Sequence, residues 1–381
     1  MSEEGMSVEI LVTVAVLEQI PLHDVLRLCQ TSKGSYQRYA AHLTYILGRV
    51  NQENPALVLR LLRHIAVTTV AIVDECFLET CIRRLQWRKT ISVRRSNALA
   101  LLDDGSVVGC CKQGIFDKIP KGRYVSVHAG DSRGVGLGLL DNGEAVVWGR
   151  AVYAAPPTLP SGRRYVSISG HSLHLVALLD TGEVVQWLPN RYGTLEAKKV
   201  IGEHRCVAVE SDGSFSLALL EDGQVIGWGD NHQGQARGSV GALPRRRYVA
   251  MSGCYLFSVG LLDNGEMALW GNHDLVASGM RVNEEVWRRG RRFVIVRAGG
   301  THGLGLLDNG EVVGWGNDKC QQISGAGAAL AASGARRYLA IAACKEVSMG
   351  LTDNGRIVFW GSNEYIQERV VSPPAGRRFV W

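Results

Sequence analysis

Gly130-Asp131-Ser132-Arg133-Gly134 has the Gly-x-Ser-x-Gly spacing that, in some hydrolases, presents a serine nucleophile on a sharp strand-to-helix turn. Here the residues before it, Tyr124-Val125-Ser126-Val127, and after it, Gly136-Leu137-Gly138-Leu139, both read as strand, so the helix that such a turn requires is missing. His171 and His174 stand three apart and invite a metal reading. On a strand that interval turns them to opposite faces, and no third ligand follows nearby. Gly134-x-Gly136-x-Gly138 and Gly303-x-Gly305 resemble a nucleotide loop in composition but lie within an apolar strand register, where close packing accounts for them. There is no HExxH and no GxxxxGK[ST]. No catalytic residue, metal or cofactor is assigned, and the chain is read as non-enzymatic.

The elements that carry these residues recur. The pattern reads LALLDDGSVVGC, LGLLDNGEAVVWG, VALLDTGEVVQWL, LALLEDGQVIGWG, VGLLDNGEMALWG, LGLLDNGEVVGWG and MGLTDNGRIVFWG, with turn glycines at Gly105, Gly143, Gly182, Gly223, Gly265, Gly310 and Gly355. The period of 38 to 45 residues is that of one supersecondary unit repeated into an array. Apolar runs on either side of Asp-Asn-Gly signal a β-hairpin, and the expectation is a tight primed turn. Five residues before each turn glycine stands Ala or Gly, which implies close approach between neighbouring units. Five residues after it stands Trp in six copies, read as core packing.

A second element, Arg123-Tyr124-Val125 and its counterparts beginning at Arg164, Arg205, Arg247, Arg292, Arg337 and Arg378, opens a further short strand in each unit. Three or four strands per unit, seven times over, favour radial closure, because closure leaves no exposed hydrophobic end. The fold class is therefore mainly β: a seven-bladed β-propeller over residues 88–381, preceded by a small all-α region over residues 1–87. Arg377-Arg378-Phe379-Val380-Trp381 has no hairpin after it, and the first hairpin is preceded only by the degenerate Arg88-Lys89-Thr90-Ile91-Ser92-Val93. The two segments are expected to share the first blade and latch the ring.

Strand, short loop, His, apolar strand, Asp-x-Gly, strand, Trp-Gly and then Asn-x-x-Gly-Gln resembles the repeat of the regulator of chromosome condensation family, most fully at Trp228-Gly229-Asp230-Asn231-His232-Gln233-Gly234-Gln235. The family's repeat histidine is kept at His174 and His302. The resemblance covers roughly residues 88–381. It implies a rigid disc that grips another protein through the loops between the first and second strands of its blades. Here those loops and their flanks carry Asp131, Arg133, His171, His174, Asp212, Tyr255, Thr301, His302, Lys345 and Glu346. Mixed charge with an aromatic suits protein recognition. The family includes a nucleotide-exchange factor for a Ran-type small GTPase, and its members also include ubiquitin-ligase components.

Apolar residues in the first ninety positions follow helical spacing, as in Leu57-Val58-Leu59-Arg60-Leu61-Leu62, with Pro21 and Pro55 at helix starts. Val16 to Lys33 resembles the later half of an F-box, the module that docks a substrate receptor onto a cullin-based ubiquitin ligase. Ile20, Pro21, Leu22, Val25 and Leu26 are the implied adaptor contacts. The upstream Leu-Pro and the third-helix Trp of that module are missing, and a helical cap over the propeller is the competing reading.

The apolar content of 46% supplies a sizeable core, and nine cysteines without a CxxC pair read as reduced, mostly buried thiols. The apolar run Ile10 to Leu17 is too short to span a bilayer and lacks a basic segment before it. A soluble cytoplasmic or nuclear protein is expected, with no membrane partner. The net charge of +6 is modest. Arginines opening the same strand in every blade gather near one rim, but the acidic turn residues beside them oppose that field, so a nucleic-acid partner is not expected.

Overall fold

The computed structural model describes residues 89–94, 97–111, 119–130, 136–149, 162–171, 174–189, 195–200, 204–212, 214–238, 246–362 and 370–380, together with Pro156, Leu159 and Gly202. Seven antiparallel sheets follow one another along the chain. The first is β1 (Ile91–Arg94), β2 (Asn97–Leu101) and β3 (Val107–Cys111), and the second is β4 (Tyr124–Ala129), β5 (Gly136–Leu140) and β6 (Ala145–Trp148). The third has four strands, β7 (Tyr165–His171), β8 (His174–Leu179), β9 (Val184–Pro189) and β10 (Leu195–Lys199). The fourth is β11 (Cys206–Asp212), β12 (Phe215–Leu220) and β13 (Val225–Gly229), and the fifth is β14 (Tyr248–Cys254), β15 (Phe257–Leu262) and β16 (Met267–Gly271). The sixth is β17 (Phe293–Ala298), β18 (His302–Leu307) and β19 (Val312–Gly316). The seventh is β20 (Tyr338–Cys344), β21 (Val347–Thr352), β22 (Ile357–Gly361) and β23 (Val370–Val371). Helices α1 (His273–Arg288) and α2 (Gly325–Ser333) follow the third strands of blades 5 and 6, where blades 3 and 7 have a fourth strand. This is the seven-bladed propeller. The N-terminal adaptor residues Ile20, Pro21, Leu22, Val25 and Leu26 lie outside the described residues.

The hairpin turns differ in type from the primed turn the sequence suggests. In blade 2 the Gly143 N–H donates to the Leu140 carbonyl at 3.0 Å and the Leu140 N–H to the Glu144 carbonyl at 2.8 Å. Gly143 has φ +86°, while Asp141 and Asn142 keep negative φ. This is a three-residue loop whose glycine supplies the left-handed step. Asn142 Oδ1 accepts from the Glu144 N–H at 3.0 Å, an Asx turn that explains the Asp/Asn preference without positive φ at that residue.

The arginine strand belongs to the next blade and is stitched to the turn before it. The N–H of Tyr165 donates to the Gly143 carbonyl at 2.9 Å, and Tyr124, Cys206, Tyr248, Phe293 and Tyr338 repeat the bond to Gly105, Gly182, Gly223, Gly265 and Gly310. The preceding arginine lays its stem over the same glycine: a Cβ on Gly143 would sit 2.6 Å from Arg164 Cβ. The arginine rim also meets acidic partners, as in Arg123–Asp141 at 3.8 Å, Arg246–Asp263 at 3.9 Å and Arg291–Asp308 at 3.8 Å. The rim is thus laced with opposite charge.

The small residue before the repeat leucine faces its own blade. A Cβ on Gly138 would sit 2.4 Å from the Tyr124 ring, and one on Gly260 equally close to Tyr248. The close approach is between a glycine and the aromatic of the same sheet, where a neighbouring unit was expected. Tyr124 packs edge-on against Trp148 with centroids 5.7 Å apart, and Tyr165 against Trp187 at 5.3 Å; Trp148, Trp187, Trp270, Trp315 and Trp360 are core, while Trp228 is half-buried.

Ring closure follows the expected latch. Phe379 bridges Leu102, the Asp103 N–H donates to the Arg378 carbonyl and the Val380 N–H to the Leu101 carbonyl, both at 3.0 Å. The first strand of blade 1 is split: residues 378–380 supply its opening and β1 continues it. Phe379 is buried with Ile91, Leu102, Ala340 and Met349, in a cluster that joins blade 7 to blade 1.

Candidate functional site at the channel mouth

The first strand of every blade lines the axis of the ring. Side chains alternate along a strand, so every second residue of each first strand reaches the same level of the channel. Register identifies one level: Ser92, His128, Ser169, Glu210, Ser252, Arg297 and Ala342 each pair with the residue two before the repeat leucine. Two residues on, Arg94, Gly130, His171, Asp212, Cys254, Gly299 and Cys344 form the next level, directly beneath the loops to the second strands. Ser92, Arg94, His128, Glu210, Ser252, Cys254, Arg297 and Ala342 of these levels line a cavity that opens to solvent, with Lys89 beside them.

The serines of this channel hold blades together. Ser92, Ser169 and Ser252 accept from the N–H groups of Ala129, Ser211 and Ala298 in the following blade at 3.0, 3.0 and 3.1 Å. The charged residues interact across the channel. Lys89 Nζ lies 2.5 Å from Glu210 Oε1, and Arg94 pairs with Asp212. Arg297 Nη1 donates to the Val296 carbonyl at 3.0 Å. Burial lowers the pKa of Lys89, opposed by Glu210 and reinforced by Arg297 and Arg94. Burial, together with Lys89, Arg297 and Arg94, holds His128 well below the usual histidine value, so it is neutral. Arg297 is lowered by burial, against the pull of Glu210.

The residues expected to face a partner divide into two kinds. Tyr255 and Lys345 occupy equivalent loops of blades 5 and 7, each with φ +48°. Tyr255 is 62% exposed, the highest value among large apolar side chains of the described residues. Thr301 and Lys345 are half-buried and Glu346 is exposed. Asp212 and His302 point inward and are buried. Asp212 accepts from the Tyr255 N–H while pairing with Arg94, so it anchors the exposed loop rather than meeting a partner itself. His302 bridges blades 6 and 7, with Nδ1 2.8 Å from the Lys345 carbonyl and Nε2 3.0 Å from Ser348 Oγ. A carbonyl only accepts, which places the proton on Nδ1. Asn97 performs the same task in blade 1, its Nδ2 donating to the Gly130 carbonyl at 2.8 Å.

Asp131 and Arg133 lie outside the described residues. His171 and His174 are backbone partners across the β7–β8 hairpin, on two strands rather than one. The Gly-x-Ser-x-Gly match begins at Gly130 and falls between β4 and β5, as its flanks suggested. The cysteines Cys206, Cys254 and Cys344 are buried thiols that form no disulfide, and burial pushes Cys206 up to about 12.

Sequence reasoning passed over Lys89, Arg94, His128, Glu210 and Arg297. The available signal was a single charged residue within an otherwise small or apolar first strand, as in Tyr124-Val125-Ser126-Val127-His128 and Phe293-Val294-Ile295-Val296-Arg297.

The chain is a β-propeller, and two of its segments, residues 208–235 and 293–322, match the profile of the Regulator of chromosome condensation (RCC1) repeat. Both matched segments end on a glutamine whose backbone carbonyl receives the next blade's indole, Gln235 from Trp270 Nε1 at 2.8 Å and Gln322 from Trp360 Nε1 at 2.9 Å. Among solved structures, the entire ectodomain of the Physcomitrella patens receptor kinase CR4 is similar with a TM-score of 0.55 and 19% identity, over 72% of this chain and 73% of that one. The CRINKLY WD40 ectodomain of the Arabidopsis thaliana receptor kinase ACR4 gives 0.54 and 17%, over 72% and 95%. Human WBSCR16 gives 0.51 and 15%, over 70% and 88%. At these identities the likeness concerns the fold. No curated protein sequence matches the chain significantly.

Proposed function

We propose that this propeller is a non-enzymatic protein-interaction scaffold that grips its partner with the loops between first and second strands. The observation that supports this is Tyr255: a large aromatic, 62% exposed, on a left-handed backbone step held from below by buried Asp212. An exposed aromatic on a preorganised loop binds with little ordering cost. The acidic partners along the arginine rim argue against a nucleic-acid ligand there.

The finer reading is a substrate receptor of a cullin-based ubiquitin ligase, cytoplasmic or nuclear. Ile20, Pro21, Leu22, Val25 and Leu26 would contact the adaptor while the loops hold the target. The alternative is a guanine-nucleotide exchange factor for a Ran-type GTPase, the weaker reading because the repeat histidine is kept in two copies, at His174 and His302. Titrating the full chain with a purified cullin adaptor and, separately, with a nucleotide-loaded Ran-type GTPase distinguishes them. Adaptor binding lost in Leu22→Asp supports the ligase reading. Accelerated nucleotide release without adaptor binding supports exchange, and neither response removes both.

A further inference from the structure

We infer that the central channel is a site for one small free oxyanion, of the phosphate or small-carboxylate class, held chiefly by Arg297 and His128. The inference does not depend on the protein-scaffold reading. Three cations, Lys89, Arg94 and Arg297, line the cavity with one carboxylate, Glu210, while Asp212 pairs with Arg94 beside it. Lys89 and Arg94 have their carboxylates. Arg297 donates to the Val296 carbonyl and shares Glu210 with Lys89 at longer range, which leaves most of its five-donor fork for the cavity. Three cations sharing two carboxylates leave one excess positive charge, which is costly between protein walls that water screens poorly.

His128 is the second, independent sign. It is 6% exposed and lines the same cavity. A neutral imidazole at the cavity wall carries one N–H that can donate to a group inside it. His128 and Arg297 stand at one level of the ring, on blades 2 and 6. A planar guanidinium and an imidazole N–H suit an oxygen-bearing anion, because a guanidinium engages two oxygens at once.

The test is calorimetric titration and thermal melting of the full chain with inorganic phosphate, ionic strength being held constant with sodium chloride. Saturable binding of a single equivalent and a rise in melting temperature are expected. Arg297→Gln should weaken binding about tenfold or more, since it removes a charge-assisted contact. Ala342→Glu places a carboxylate at the same level of the channel. It should abolish the phosphate response while raising the melting temperature in phosphate-free buffer. If either variant fails to fold, the wild-type titration decides, and no saturable binding below about 10 mM overturns the proposal. Equal binding by wild type and both variants overturns it as well. A response to a hexaglutamate peptide without one to phosphate overturns the free-ion assignment and indicates a partner's acidic segment instead.

Discussion

Phe379 and Leu102 form an antiparallel bridge across the whole length of the repeat array, and through it residues 378–380 and β1 become one interrupted strand of blade 1. The ring is closed by backbone hydrogen bonds and by a shared apolar cluster, so its stability depends on a segment that makes no hairpin of its own.

Removal of residues 377–381 should therefore lower the melting temperature markedly. Phe379→Ala alone should destabilise by about 3–5 kcal/mol, the usual effect of emptying a buried aromatic site. Chemical denaturation of the variant beside wild type checks it, and an unchanged midpoint would mean that the bridge is not a latch.

His302 makes the fold acid-sensitive in a defined window. Burial is the main reason its pKa falls from 6.5 to about 4, against the Lys345 carbonyl and Asp318, which favour the charged form. Between those values the unfolded chain binds more protons than the folded one, so stability is intact above pH 6.5 and falls as pH drops toward 4. The contribution is roughly 3 kcal/mol. His302→Asn substitutes the residue that does the same work at Asn97 and should reduce the slope of melting temperature over that window, leaving the slope of the same sign that His128 contributes. Identical pH profiles for variant and wild type would refute the assignment.

Gly310 combines two demands. Its φ is +84°, and a Cβ there would lie 2.5 Å from Arg337 Cβ. Gly310→Ala should destabilise by about 1–3 kcal/mol through backbone strain and displacement of the arginine stem. Gly290 also has positive φ, +65°, but has nothing within 4 Å of an added Cβ. Gly290→Ala should therefore show the strain alone, and a comparison of unfolding midpoints separates the two contributions.

Tyr255→Ala should weaken binding of the protein partner by about tenfold or more if the side chain is an interface anchor. Its melting temperature should stay near that of wild type, because the side chain is exposed and the loop is held by its own N–H to Asp212. Full affinity in the variant would move the partner surface away from this face.

The fold was legible because its instructions are local and repeated. Asp-Asn-Gly between apolar runs specifies a hairpin wherever it occurs, and Arg-Tyr-Val opens a strand seven times over. The turn type was not legible: Asp-Asn-Gly is compatible with a primed turn, and only the Leu140 N–H to Glu144 carbonyl bond shows the longer loop with its left-handed glycine. Among the loop residues, Tyr255 and Glu346 proved exposed, whereas Asp212 and His302 turned inward, since a residue at a loop edge can face either way until the neighbouring blade is in place.

The sequence by itself determined the number of blades, the strands within them and the segment that completes the first. The tertiary structure decided which charges meet. His128 and Arg297 are 169 positions apart in the chain and share one level of the channel because seven registers close into a ring. Hydrophobic periodicity is set by neighbours along the chain, whereas the composition of a central channel is a sum over all blades that exists after closure.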